Sequence, residues 1–166
     1  MEFYKLKFQN KILMYGIILL SLPKNLIIMT LRELEIRLIN LQKEMEISYS
    51  WIEKHRDGLK FDTVKKIQSG GNYRVSSLFQ YLELLTHILV INNNQIEDQL
   101  QLGEFFKSKR IEAGLSVFDM SLKMKCPTKV IYNFEEGKGS VRNTFNAYAE
   151  SLENISFDVI SMIDVL

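Results

Sequence analysis

The chain repeats itself along its length. Leu38, Ile47, Ser48 and Ile52 recur 68 positions later as Phe106, Leu115, Ser116 and Met120. Beyond them the interval is 67, which takes Val64 to Ile131, Ile67 to Phe134, Gly70 to Gly137, Leu78 to Phe145, Tyr81 to Tyr148, Glu83 to Glu150 and Leu85 to Leu152. Caps, glycines and apolar positions recur together, which two unrelated amphipathic segments seldom manage, so the pattern is that of a duplicated supersecondary unit. The one-residue slip falls between Ile52 and Gly58, in a turn, where a change of length is tolerated best.

Within each copy the apolar period is helical. Leu31, Leu34, Leu38, Leu41 and Met45 mark one face of a first helix. Ser48 offers the N-cap of a second, through Ile52, which should stop at Asp57-Gly58. A third runs through Val64 and Ile67 to Gly70-Gly71, and a fourth starts near Ser76 and carries Leu78, Tyr81, Leu82 and Leu85. His87 to Ile91 then reads as a short strand, and Asn92-Asn93-Asn94 as a polar linker. The same signals return through Leu102, Phe105, Phe106 and the cap at Ser116, and end on a second apolar segment, Ile155 to Ile160. An isolated strand leaves its backbone unpaired, so the two closing segments are expected to pair as a two-stranded antiparallel ribbon. The expected fold is mainly α: two tandem four-helix units over residues 29–92 and 97–166, joined by a linker at 93–96.

Residues 1–28 stand apart. Lys5, Lys7 and Lys11 precede an apolar run from Ile12 to Leu22, the outline of a signal peptide, but the run is too short to span a bilayer and no small-x-small cleavage site follows. The segment is expected to be an appendage, or translated from upstream of a start at Met29.

The formal net charge is only +1, yet Lys107, Lys109, Arg110, Lys123, Lys125, Lys129, Lys138 and Arg142 crowd one stretch. Glu112, Asp119, Glu135 and Glu136 alone oppose them there. A basic face on a neutral protein suits a polyanion touched from one side. Cys126 is the single cysteine, so neither an intrachain disulfide nor a cysteine-based metal site is expected, and the expected compartment is a reducing cytoplasm. His55 and His87 have no matching set of ligands or nucleophiles and read as surface or interface residues. No enzyme motif, cofactor site or metal site is expected.

The stretch from Leu102 to Gly139, LGEFFKSKRIEAGLSVFDMSLKMKCPTKVIYNFEEGKG, resembles the Cro/C1-type helix-turn-helix family across its DNA-binding core. The resemblance rests on Arg110 and Gly114-Leu115-Ser116, then on Met120, Ser121, Cys126, Ile131, Phe134, Glu135 and Gly137, which fit without a gap. It implies a recognition helix from about Pro127 to Glu135, with Pro127 in a first turn that needs no amide from it. Thr128, Lys129, Val130, Tyr132 and Asn133 are the implied readers of base edges in the major groove of double-stranded DNA. Ser116, Val117, Lys138 and the loop amides at Gly139 are the implied phosphate contacts, which position the helix without specifying sequence. Arg110 and Glu135 match a partly buried ion pair of the family, which should be structural. Their counterparts in the first copy are Gln42 and Gln68, so both charges are missing together and a neutral amide pair can fill the same place.

The first copy departs from the family pattern, with Glu53 in the small-residue position and a turn one residue longer. Its outward residues would be Phe61, Asp62, Thr63, Lys65 and Lys66, a possible second reader in which Asp62 meets phosphate repulsion unless it accepts from a cytosine. The function expected is that of a transcriptional regulator. The alternative is an antitoxin-like module that holds a toxin or kinase, or that associates with itself through the terminal strands. Paired within one chain, those strands would make a pseudo-dimer.

Overall fold

In a computed structural model, which describes residues 29–55 and 59–162, the chain is mainly helical with a small three-stranded antiparallel sheet. Residues 1–28, the turn expected at Asp57-Gly58 and the tail 163–166 lie outside the described residues.

Helix α1 (Leu31–Glu44) begins on a reciprocal cap: the Thr30 hydroxyl accepts from the Glu33 amide (3.2 Å) and the Glu33 carboxylate accepts from the Thr30 amide (2.7 Å). Its counterpart α5 (Gln99–Glu112) begins on Asp98, whose carboxylate accepts from the Leu100 and Gln101 amides at 2.8 and 2.9 Å. Both helices close with the same turn. The Ile47 amide donates to the Gln42 carbonyl (3.1 Å) past Glu46 at φ 56°, and the Leu115 amide to the Arg110 carbonyl (3.0 Å) past Gly114 at φ 69°. Short helices α2 (Tyr49–His55) and α6 (Val117–Lys123) follow, then α3 (Phe61–Ser69) and α7 (Thr128–Glu135). The last two each end on a left-handed glycine, Gly70 at φ 71° and Gly137 at φ 78°.

The next elements differ between the halves. Helix α4 is regular (Val75–Leu84), whereas Val141–Asn146 forms a π-helical turn that leads into α8 (Ala147–Ser151). In that turn the Phe145 amide donates to the Ser140 carbonyl five residues back (3.0 Å), which takes up one extra residue. The buried pair Val75 and Val141 therefore sits 66 positions apart, while Leu78 and Phe145, one turn later, are back at 67.

Strand β1 (His87–Ile91) pairs antiparallel with β3 (Phe157–Ser161), from His87 opposite Ser161 to Ile91 opposite Phe157. Pairing of the closing segments thus occurs, with β3 shifted toward the C-terminus of the expected Ile155 to Ile160. Residues 93–96 are not a linker. Asn94–Ile96 is strand β2, which pairs with β1 and makes a three-stranded sheet of order β2-β1-β3 in place of the two-stranded ribbon. Asn92 (φ 48°) and Asn93 (φ 65°) form the two-residue loop between them. Two successive positive φ values define a type I′ turn, and asparagine is the residue other than glycine that adopts it most cheaply.

The buried apolar residues of both halves form one continuous core. In the first half Leu38, Ile67 and Leu78 occupy the places that Phe106, Phe134 and Phe145 fill in the second, where the rings meet at centroid distances of 5.6 to 6.2 Å. A seam joins the halves a second time. The Val141 amide donates to the Tyr73 carbonyl (2.8 Å) and the Val75 amide to the Gly139 carbonyl (3.0 Å), with Arg74 bridged to Ser140. Beside it lies Glu35 of α1, fully buried, whose carboxylate accepts from Arg32 Nη1 (2.9 Å), from the Tyr73 hydroxyl (2.8 Å) and from Arg142. Arg142 also donates to the Gly70 carbonyl (3.1 Å). It was counted above with the basic face, and it serves instead to tie the two halves together. Among the described residues no helix is long and apolar enough to cross a membrane.

Candidate nucleic-acid interface

Helix α6 is short because it is bounded by strong local signals. At its start the Ser116 hydroxyl accepts from the Asp119 amide (3.1 Å), and the Asp119 carboxylate accepts from both the amide (2.8 Å) and the hydroxyl of Ser116 (2.5 Å). These bonds, the side-chain one first, hold the Asp119 carboxyl below its ordinary pKa. At its end Lys125 turns left-handed (φ 51°) and the Cys126 amide returns to the Ser121 carbonyl (3.0 Å). Pro127, at φ −60° and ψ 146°, then launches α7 without needing an amide of its own. Burial raises the pKa of the Cys126 thiol, which makes it a poor nucleophile at neutral pH.

Met120 and Ser121 of α6 and Ile131 and Phe134 of α7 are buried, and they fix which face of α7 turns outward. With 3.6 residues per turn, the side opposite Ile131 and Phe134 is that of Lys129, with Tyr132 and Asn133 beside it. Lys129, Tyr132 and Thr128 are exposed, while Val130 and Asn133 are half-buried. Lys129, Tyr132, Asn133 and Thr128 therefore share the outward side of α7, with Lys129 at its centre, while Val130, roughly 40° round the helix from Phe134, borders the buried side. Lys125 and Lys138, exposed, precede and follow α7 in the chain, whereas the Lys123 ammonium reaches toward the Ser151 carbonyl of α8 (3.5 Å).

The implied phosphate contacts divide. Val117 is half-buried, and both donors of Ser116 are already engaged by Asp119, so a phosphate at that cap must displace a carboxylate. Lys138 is exposed and lies 2.9 Å from the equally exposed Glu136, a surface pair weak enough to open for a stronger anion. Gly139 is exposed at the edge of the seam, where its carbonyl accepts from the Val75 amide.

A brace behind α7 holds that face in place. Arg110 on α5 donates to Glu135 through Nε (2.6 Å) and Nη2 (3.0 Å), and through Nη1 to the Leu115 carbonyl (2.8 Å). The Tyr148 hydroxyl adds a third donor to Glu135 (2.7 Å). The hydrogen bond to Glu135 raises the Arg110 pKa, and burial, then the same carboxylate, raises that of Tyr148, so both remain protonated donors at neutral pH. The first half fills the same place without charge, with its tyrosine bonded to the other member of the pair. Gln68 Nε2 donates to Gln42 Oε1 (3.2 Å), Gln42 Nε2 to the Ile47 carbonyl (2.9 Å), and the Tyr81 hydroxyl to Gln42 Oε1 (2.5 Å). The part played by the two tyrosines was missed in the sequence, although their recurrence at the 67-residue interval was visible there.

On α3 the equivalent face carries Asp62, Lys65 and Lys66, all exposed, with Thr63 half-buried. Phe61, expected to project outward, is half-buried: its ring stands edge-on to Tyr49 at 5.0 Å, and Lys65 Nζ lies 4.2 Å above it. Tyr49 in turn donates to Gln68, so Phe61 packs at the edge of the local core.

Comparison with protein-family models, curated proteins and solved structures returned no match to this chain.

Proposed function

We propose that the chain is a sequence-specific DNA-binding regulator built of two tandem Cro/C1-type helix-turn-helix units, with the second as the principal reader. The observation that carries this reading is the α6–α7 pair. A short capped helix, a tight turn and a second helix are braced from behind by Arg110, Glu135 and Tyr148, and present Lys129, Tyr132 and Asn133 on one outward face. Lysine suits the O6 and N7 acceptors of guanine and asparagine the N6 and N7 edge of adenine, while Lys125 and Lys138, before and after α7 in the chain, supply sequence-independent attraction to phosphate.

Lys129→Ala and Asn133→Ala are each expected to weaken specific binding by about 1–3 kcal/mol and to change base preference at defined positions. Lys138→Ala is expected to weaken all duplexes alike and to lower the salt dependence. Competition titrations against the preferred duplex and single-base variants separate the two. A uniform loss from all three changes would remove α7 as the reader.

One observation favours a second reading, the antitoxin-like module. Phe118 and Leu122 of α6 are 62% and 61% exposed and lie four residues apart on one side of that helix, an apolar pair of the kind a protein partner covers.

A further inference from the structure

Equivalent segments of the two halves meet twice, and both times antiparallel. In the seam Arg74 faces Ser140, and a shift of 66 positions exchanges the two flanking hydrogen bonds, Val141 to Tyr73 and Val75 to Gly139. In the sheet the centre of β1, Leu89, faces the centre of β3, Val159. Equivalent segments paired centre to centre and antiparallel are the signature of an isologous contact, the kind a half-turn about a two-fold axis generates. Here both partners belong to one chain. A half-turn leaves height along its axis unchanged, so one axis through both contacts would set the equivalent helices α3 and α7 at one level on either side of it. Their closing glycines flank the seam, where the buried Glu35 binds Arg142 and Arg142 binds the Gly70 carbonyl, so the halves are locked together. The helices are unlike: Asp62, Lys65 and Lys66 stand where α7 carries Lys129, Tyr132 and Asn133.

We propose that one copy of this chain binds a single duplex bivalently, with α3 and α7 in successive major grooves, and recognises a non-palindromic site of two unlike half-sites. The proposal rests on the reading of the chain as a DNA-binding protein. The half-sites would lie about one DNA turn apart, roughly 34 Å.

The test starts from the duplex enriched by the full chain from a random pool. Light scattering of the complex is expected to give one chain per duplex. Lys66→Ala is expected to cost about tenfold in affinity and relax preference in one half-site, and Lys129→Ala to do the same in the other. Both side chains are exposed, and unchanged melting of each variant shows that it folds. Insertion of about five base pairs, half a turn, between the half-sites should weaken binding as much as scrambling one of them. Two chains on a palindrome, or one half-site only with Lys66→Ala silent, overturns this proposal and leaves α7 as a reader. Absence of any enriched duplex overturns the DNA reading itself.

Discussion

Glu135→Ala is expected to lower the unfolding free energy by about 3–5 kcal/mol, because it leaves a buried guanidinium without its carboxylate. The Arg110 and Glu135 side chains are 7% and 6% exposed, so water reaches neither well enough to replace the lost partner. Arg110 would keep only the Leu115 carbonyl, and the Tyr148 hydroxyl would lose its acceptor. The double change Arg110→Gln with Glu135→Gln should recover part of the loss, since the first half fills the same place with Gln42, Gln68 and Tyr81, helped there by Tyr49, whose counterpart Val117 has no hydroxyl. Urea melts of the native chain, the single variant and the double variant decide it. A double variant no more stable than Glu135→Ala would mean that the charges themselves, and not satisfied hydrogen bonding, hold α5 to α7.

Gly103→Ala is expected to cost about 2 kcal/mol although it places a better helix former inside α5. On propensity alone alanine would gain about 1 kcal/mol. The neighbouring helix prevents it: a Cβ at Gly103 would lie 2.5 Å from the Glu135 carbonyl oxygen and 2.7 Å from that of Phe134. These are backbone atoms, which cannot swing aside, so α7 must move away from α5 and carry its outward face with it. Valine at the same position should cost more. Gly114 serves as the contrast, because nothing lies within 4 Å of its Cβ position and its φ of 69° alone resists substitution, at about 1–2 kcal/mol. Thermal melts of the two alanine variants compare steric with conformational strain. An unchanged Gly103→Ala would show that α5 and α7 part without cost.

Features set by local chemistry were legible in the sequence. Ser116 caps α6, Gly70 and Gly137 end α3 and α7, and β1 begins at His87, because each depends on a few adjacent residues. The Arg110–Glu135 contact and its neutral counterpart Gln42–Gln68 were legible because the two members of each pair change together. What escaped depended on contacts distant in sequence. Asn92-Asn93 has the polarity of a linker, and only the pairing of Asn94–Ile96 with β1 reveals a hairpin turn. Glu35 is an acidic residue in an amphipathic helix, ordinarily a surface position, and its burial depends on Arg142, 107 residues away. The same contact removed Arg142 from the basic face. Phe61 was read as outward although it lies one turn before Val64 on the adjoining side of α3, where Tyr49 of the preceding helix meets its ring.

Selection of duplexes from a random DNA pool by the full chain, at two salt concentrations, tests the central claim most directly. The account predicts one enriched motif at both, bound more weakly at the higher salt by a factor set by the phosphates that the lysines neutralise, yet still preferred over unrelated duplex. Binding that shows salt dependence but enriches no motif, or no binding at all, would contradict it.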